Sequence, residues 1–177
     1  TGKLPMSFPY CVGQVPVHYN EYATGRPHVE GKDKDRFRSK YLDIPNAPLY
    51  PFGYGLSYTT FTVSEVSLDK DSMKDGESIR AAVTVKNTGT CAGTETIQLY
   101  LHDIAASVVR PVKELKDFRK VTLQPEEEAR VEFTITEPRL RFLSENNIFE
   151  SEAGIFEIFI GTDSTTTNKA KFTLEKQ

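Results

Sequence analysis

The chain has 177 residues, 38% of them hydrophobic and 27% charged, and a formal net charge of -3. No apolar run approaches the roughly 20 residues that cross a bilayer, so no membrane span is expected. Lysine and arginine outnumber acids by only two over residues 1–58, which leaves -5 for the remainder and no basic face for nucleic acid.

Residues 1–58 hold seven of the ten prolines and seven of the eight tyrosines. Two-residue alternation starts only after them, so a boundary is placed at residues 58 and 59. The N-terminus TGKLPMSFPY has no basic start, long apolar stretch or small-residue cleavage site, and no targeting signal is expected in it. GKDKDRFRSK, residues 31–40, is mostly charged and has no apolar period, which predicts an exposed loop. Asp33 and Asp35 in it resemble the start of a calcium loop, but the required glycine and terminal glutamate are missing, so no metal is assigned.

PLYPFGYGLSY, residues 48–58, suits neither a helix nor a central strand. Pro48 and Pro51 donate no backbone hydrogen bond, while Gly53 and Gly55 carry no side chain. An irregular extended ribbon is predicted, with Tyr50, Phe52 and Tyr54 on one side and the thin side carrying Pro51, Gly53 and Gly55. Burying these three rings and Tyr58 would be worth about 6–12 kcal/mol before ordering costs. Such a segment requires a partner surface, and Tyr50, Phe52, Gly53, Tyr54, Gly55 and Tyr58 are expected to meet a neighbouring domain.

Beyond the boundary, apolar residues alternate with polar or small ones over seven segments: 61–68, 78–86, 94–102, 115–123, 129–136, 156–161 and 169–175. Ile79, Ala81, Val83 and Val85 share one face, as do Ile97, Leu99 and Leu101, and Ala129, Val131, Phe133 and Ile135. In the first segment Phe61 and Val63 are in one phase and Val66 and Leu68 in the other, which predicts a bulge or a change of sheet. Turn residues separate the segments, at KDG (74–76), NTG (87–89) and QPEEE (124–128). Seven short strands of this kind predict an all-β immunoglobulin-like or fibronectin type III-like sandwich over residues 59–177.

Catalytic chemistry is hard to find in these residues. None of His18, His28 and His102 sits in a nucleophile or metal motif; His102-Asp103 is the best pair, and a strand-end surface position explains it. Glu126, Glu127 and Glu128 follow Pro125 as a solvated turn rather than an acid/base pair. Cys11 and Cys91, eighty positions apart, form no metal-ligand spacing and are read as unpaired thiols. None of the six asparagines has Ser or Thr two positions on, so there is no N-glycosylation acceptor. No catalytic residue, cofactor or metal site is therefore assigned. Stand-alone glycan binding by an aromatic platform is weakly supported, because the chain has no Trp and only Tyr100 and Phe159 are outward candidates in the strands.

Several stretches nonetheless carry a specific resemblance: GKLPMSFPYCVGQVPVHYN (2–20), GRP (25–27), YLDIPNAPLYPFGYGLSYTTF (41–61), VKNTG (85–89) and RPVKELKDFRKVTL (110–123). In order and spacing they resemble the C-terminal end of glycoside hydrolase family 3 β-glucosidases, especially the bacterial periplasmic type, and the match spans nearly the whole chain. The resemblance implies a barrel domain, then an α/β sandwich domain, then a fibronectin type III-like domain. Residues 1–58 would be the tail of the second plus a linker, and residues 59–177 the third. It also implies hydrolysis of terminal β-linked glucose with retention, through two carboxylates that both lie upstream. This chain alone is then expected to be inactive, to meet the upstream barrel and α/β sandwich domains as partners, to reach a β-glucoside only through the whole enzyme, and to be periplasmic or secreted. An independent glycan-binding or adhesion module is the alternative. The stretch LRFLSENNIFESEAG (140–154) departs from the family, lacking its usual Trp and carrying Ala153 where a proline is usual.

Overall fold

The structure is a computed structural model that describes residues 2–27 and 36–176. His28, Asp33 and Asp35 lie outside the described residues. Two β-sheets face each other. In the first, β1 (Phe61–Val63) and β2 (Ser67–Leu68) both pair antiparallel with one edge of β4 (Ser78–Asn87), and β7 (Glu128–Thr136) pairs with the other. The second runs β3 (Ser72–Lys74), β11 (Lys169–Glu175), β10 (Gly154–Gly161), β5 (Gly93–Asp103) and β6 (Glu114–Leu123).

The alternating residues meet between the sheets as expected. Ile79, Ala81, Val83 and Val85 face Ile97, Leu99 and Leu101 across a core completed by Phe133, Ile135, Phe156, Ile158, Ile160, Phe172 and Leu174, all buried. Phe156 and Phe172 stack at 5.4 Å between centroids. Each such side chain stabilises the fold by roughly 1.5–3 kcal/mol, which is why a period of two is enough to specify these strands.

The first predicted strand is interrupted where its phase changes. Val63 lies opposite Val85 while Ser67 lies opposite Ala82, so the chain spends one extra residue between the two pairs, as a β-bulge does. Ser64 sits at the break and its hydroxyl accepts from the Thr84 N–H at 2.9 Å. The chain then crosses to the other sheet, where β3 pairs parallel with β11. Sequence periodicity does not reveal β3, which is too short to display a period. A small hairpin, β8 (Phe142–Leu143) with β9 (Phe149–Glu150), is also absent from the prediction.

One expectation about the strands is overturned. Tyr100 and Phe159, taken as outward rings, are buried. They do point away from the core, but Tyr19 lies edge-on to Tyr100 at 5.8 Å, and Lys113 and Lys169 lie over the Phe159 ring at 4.4 and 5.5 Å. Among the described residues no helix is long and apolar enough to cross a membrane.

Candidate interdomain surface

The described residues before 59 supply none of the buried hydrophobic core, whose first member is Met73. They are held instead by hydrogen bonds and rings. Residues near 4–8 run beside residues 49–54, with Leu4 N–H donating to Tyr54 O, Gly53 N–H to Leu4 O and Phe8 N–H to Tyr50 O, each at 2.8 Å. Gln14, almost fully buried, ties the next stretch together. Its Oε1 accepts from Tyr10 N–H at 2.7 Å and its Nε2 donates to Pro45 O and Ala47 O at 3.0 Å. A lone glutamine between Val12 and Val15 carries no motif that signals such a role.

The PLYPFGYGLSY stretch is not the uniform ribbon expected. Tyr54 N–H donates to Pro51 O at 3.2 Å and Gly53 has φ 78°, the pattern of a type II turn with glycine at its third position. The turn separates the rings. Tyr50 and Tyr54 stack on each other at 5.4 Å, with Phe8 edge-on to Tyr50. Phe52 leaves that group, stacks on Tyr19 at 4.2 Å, and Tyr19 in turn lies edge-on to Tyr100 at 5.8 Å. The rings of Tyr50, Phe52 and Tyr54 thus do not share one side. Gly55 packs against the Gly2 carbonyl, too close for a Cβ, and Tyr58 is fully exposed.

Further contacts fix the segment to the sandwich. Ser164 N–H donates to Phe52 O at 3.0 Å, Val112 N–H to Glu21 O at 2.9 Å, and Lys3 pairs with Glu95 at 2.7 Å. Lys113, which burial holds below the ordinary lysine range, donates to Ser164 O and Thr166 O and lies 4.4 Å over the Phe159 ring. It thereby holds the 162–168 turn against which Phe52 rests. Between segment and sandwich a cleft of about 510 Å³ is lined by His18, Tyr19, Glu21, Tyr22, Ser164 and Thr165, among others.

The opposite side of the segment is bare. Among the described residues, thirteen of the twenty exposed large hydrophobic side chains precede residue 59, and Val12, Leu42, Leu56 and Tyr58 are at least four-fifths exposed. Apolar exposure this concentrated marks a surface that meets protein.

Nothing comparable exists for catalysis among the described residues. His102 Nδ1 lies 3.5 Å from Glu157, whose carboxylate also pairs with Lys169 at 2.7 Å, so this histidine belongs to a cross-strand charge cluster. Glu126, Glu127 and Glu128 are exposed at a turn. Glu137 is held at about 2 by hydrogen bonds from Arg141, and Asp103 is pushed up to about 6 by burial, but the two line separate pockets rather than a shared cleft. Among the described residues no group of three or more His, Cys, Asp or Glu could hold a metal ion, and Cys11 and Cys91 are both exposed and free.

A fibronectin type III-like domain model matches residues 95–164. The chain is 48% identical over 174 residues to a periplasmic β-glucosidase of Salmonella typhimurium, covering 98% of this chain and 23% of that protein. It is 42% identical over 163 residues to a β-xylosidase of Formosa agariphila, covering 92% of this chain and 21% of the relative. A crystal structure of a β-glucosidase from Listeria innocua in complex with glucose superposes with a TM-score of 0.92 at 45% identity, over 98% of this chain and 24% of that one. The chain thus spans just under a quarter of the length of the relatives it matches. Over nearly all of its own length the chain is similar to part of these β-glucosidases, and within it residues 95–164 match the fibronectin type III-like domain.

Proposed function

We propose that this chain is the non-catalytic C-terminal part of an enzyme that hydrolyses terminal β-linked glucosyl residues with retention, and that it braces the catalytic domains. Residues 59–177 form the bracing sandwich, and residues 1–58 are the end of the preceding α/β sandwich domain and its connector. The observation that carries this reading is the two-sided character of residues 2–58. One side is hydrogen-bonded to the sandwich, while the other exposes Val12, Leu42, Leu56 and Tyr58. Tyr50, Phe52, Gly53, Tyr54, Gly55 and Tyr58 are assigned to this interdomain contact, with Phe52 and Gly53 on the sandwich side and Tyr58 toward the catalytic domains.

Similarity to both a β-glucosidase and a β-xylosidase supports the same division of labour, since this part recurs beside enzymes named for different sugars. The nucleophile and the acid/base carboxylate then belong to the preceding domains. A free-standing glycan-binding module is less well supported, because Tyr100 and Phe159 are covered. The Salmonella relative's name supports a periplasmic location.

The test is turnover of an aryl β-glucoside by this chain and by a longer protein extended upstream through the barrel. Hydrolysis is expected from the longer protein alone, and measurable turnover by the 177-residue chain would overturn the reading.

A further inference from the structure

We propose that Gln98, oriented by Tyr100, is the latch that seats the connector on the sandwich and so positions the surface that meets the catalytic domains. Gln98 lies on the outer face of β5, where an exposed polar residue is the default, yet it is 3% exposed. Its Nε2 donates to Gly53 O at 3.1 Å and to Thr162 O at 2.7 Å. Both partners are carbonyls, which only accept, so the amide nitrogen must face them and the oxygen must face the other way. There Oε1 accepts from the Tyr100 hydroxyl at 2.5 Å. Burial holds that phenol protonated, so it remains a donor throughout the working pH range.

One side chain therefore joins three separate pieces: strand β5, the turn after β10 and the connector. The approach is close enough that a methyl at Gly53 would overlap the Gln98 amide, and the positive φ of Gly53 already disfavours any other residue. Because Gly53 forms the turn that sends Phe52 inward and Tyr54 outward, whatever holds Gly53 also sets the direction of Leu56 and Tyr58. Loss of the amide would leave Gly53 O, Thr162 O and the Tyr100 hydroxyl buried without their partner.

Hydrogen exchange on the 177-residue chain tests the latch. In Gln98→Ala and Gln98→Glu, the amides of Leu4, Gly53 and Ser164 should exchange at least tenfold faster, while those of β4 and β7 keep their rates. Gln98→Glu is the sharper variant, because it preserves shape and an acceptor for Tyr100 but turns an oxygen toward the two carbonyls. Tyr100→Phe, which removes the donor to Oε1 while the two carbonyls still hold the amide nitrogen, should give a smaller acceleration confined to the same amides. Unchanged exchange in Gln98→Glu would overturn the proposal, as would an equal acceleration in β4 and β7, which would make Gln98 a general support of the sandwich.

Only the consequence for catalysis rests on the bracing function. In the longer enzyme, Gln98→Glu should lower kcat/KM for an aryl β-glucoside several-fold. A latch that loosens in the chain without any change in kcat/KM would sustain the latch and overturn the bracing.

Discussion

Asp103 is the residue whose surroundings suit it least. It is buried at the end of β5 beside Leu101, Leu140 and Phe156, with no side chain hydrogen-bonded to its carboxylate. Burial raises it from 3.8 to about 6, with the Ala105 backbone N–H and then the Arg110 charge pulling the other way. Arg110 has its own partner in Glu114 at 2.7 Å and lies 4.4 Å over the Phe142 ring. A carboxyl whose folded value exceeds its unfolded one binds its proton more tightly when folded, so its contribution to stability falls as pH rises from about 4 to about 6 and stays low above that. The penalty at neutral pH is at most about 3 kcal/mol. Asp103→Asn removes the charge and keeps the shape. It is expected to raise stability by about 1–3 kcal/mol at pH 7.5 and to have little effect at pH 4. Urea midpoints at the two pH values measure this, and a loss of stability at pH 7.5 would mean that the Asp103 charge is held by Arg110 after all. The sequence marks His102-Asp103 as a pair, yet gives no sign that the aspartate is buried. Burial there depends on Leu140 and Phe156, which lie in the chain far from it.

At the scale of elements, Asn87 shows how one residue closes a strand. It ends β4 fully buried, with Nδ2 donating to Cys91 O at 2.8 Å and to Leu123 O at 3.1 Å. Its Oδ1 accepts from Thr59 Oγ1 at 2.7 Å and from Gly89 N–H at 3.1 Å. The motif VKNTG was readable as a turn from its glycine and asparagine, but the side chain does more than turn the chain. It joins the first sheet to the end of β6 and to the connector at Thr59. Asn87→Ala should cost about 2–3 kcal/mol, since it strands several buried polar groups. Chemical denaturation would show this as a lower midpoint at unchanged slope. An effect below about 0.5 kcal/mol would mean that water replaces the amide. The bulge near Ser64 was legible because a one-residue slip reverses the phase of every side chain after it. Strand β3 was not, since three residues cannot show a period and its pairing with β11 is a long-range choice.

For the whole molecule, the balance of the connector is decisive. Its inner side is satisfied by the sandwich, while its outer side keeps Leu42, Leu56 and Tyr58 in water. Replacing these three with serine should therefore act in opposite directions in two settings. The 177-residue chain should self-associate less, as gel filtration over a range of concentrations would show. The longer enzyme should lose interdomain contact and unfold at lower temperature, with its domains melting in separate calorimetric transitions. Equal melting of the variant and parent enzymes would place the catalytic domains elsewhere on the chain.

The sequence by itself determined the sandwich, because a two-residue period of apolar side chains can be satisfied only by burying one face of each strand. It also determined that residues 48–58 seek a partner, since prolines and glycines exclude regular pairing while the rings resist exposure. Only the tertiary structure decided which partner each ring finds. Gly53 turns the chain so that Phe52 goes to Tyr19 and the sandwich while Tyr50 and Tyr54 stack on each other. Tyr100 becomes buried for the same reason, since the face it occupies is open or covered according to where Tyr19 and Phe52, far earlier in the chain, come to rest, and no local pattern records that.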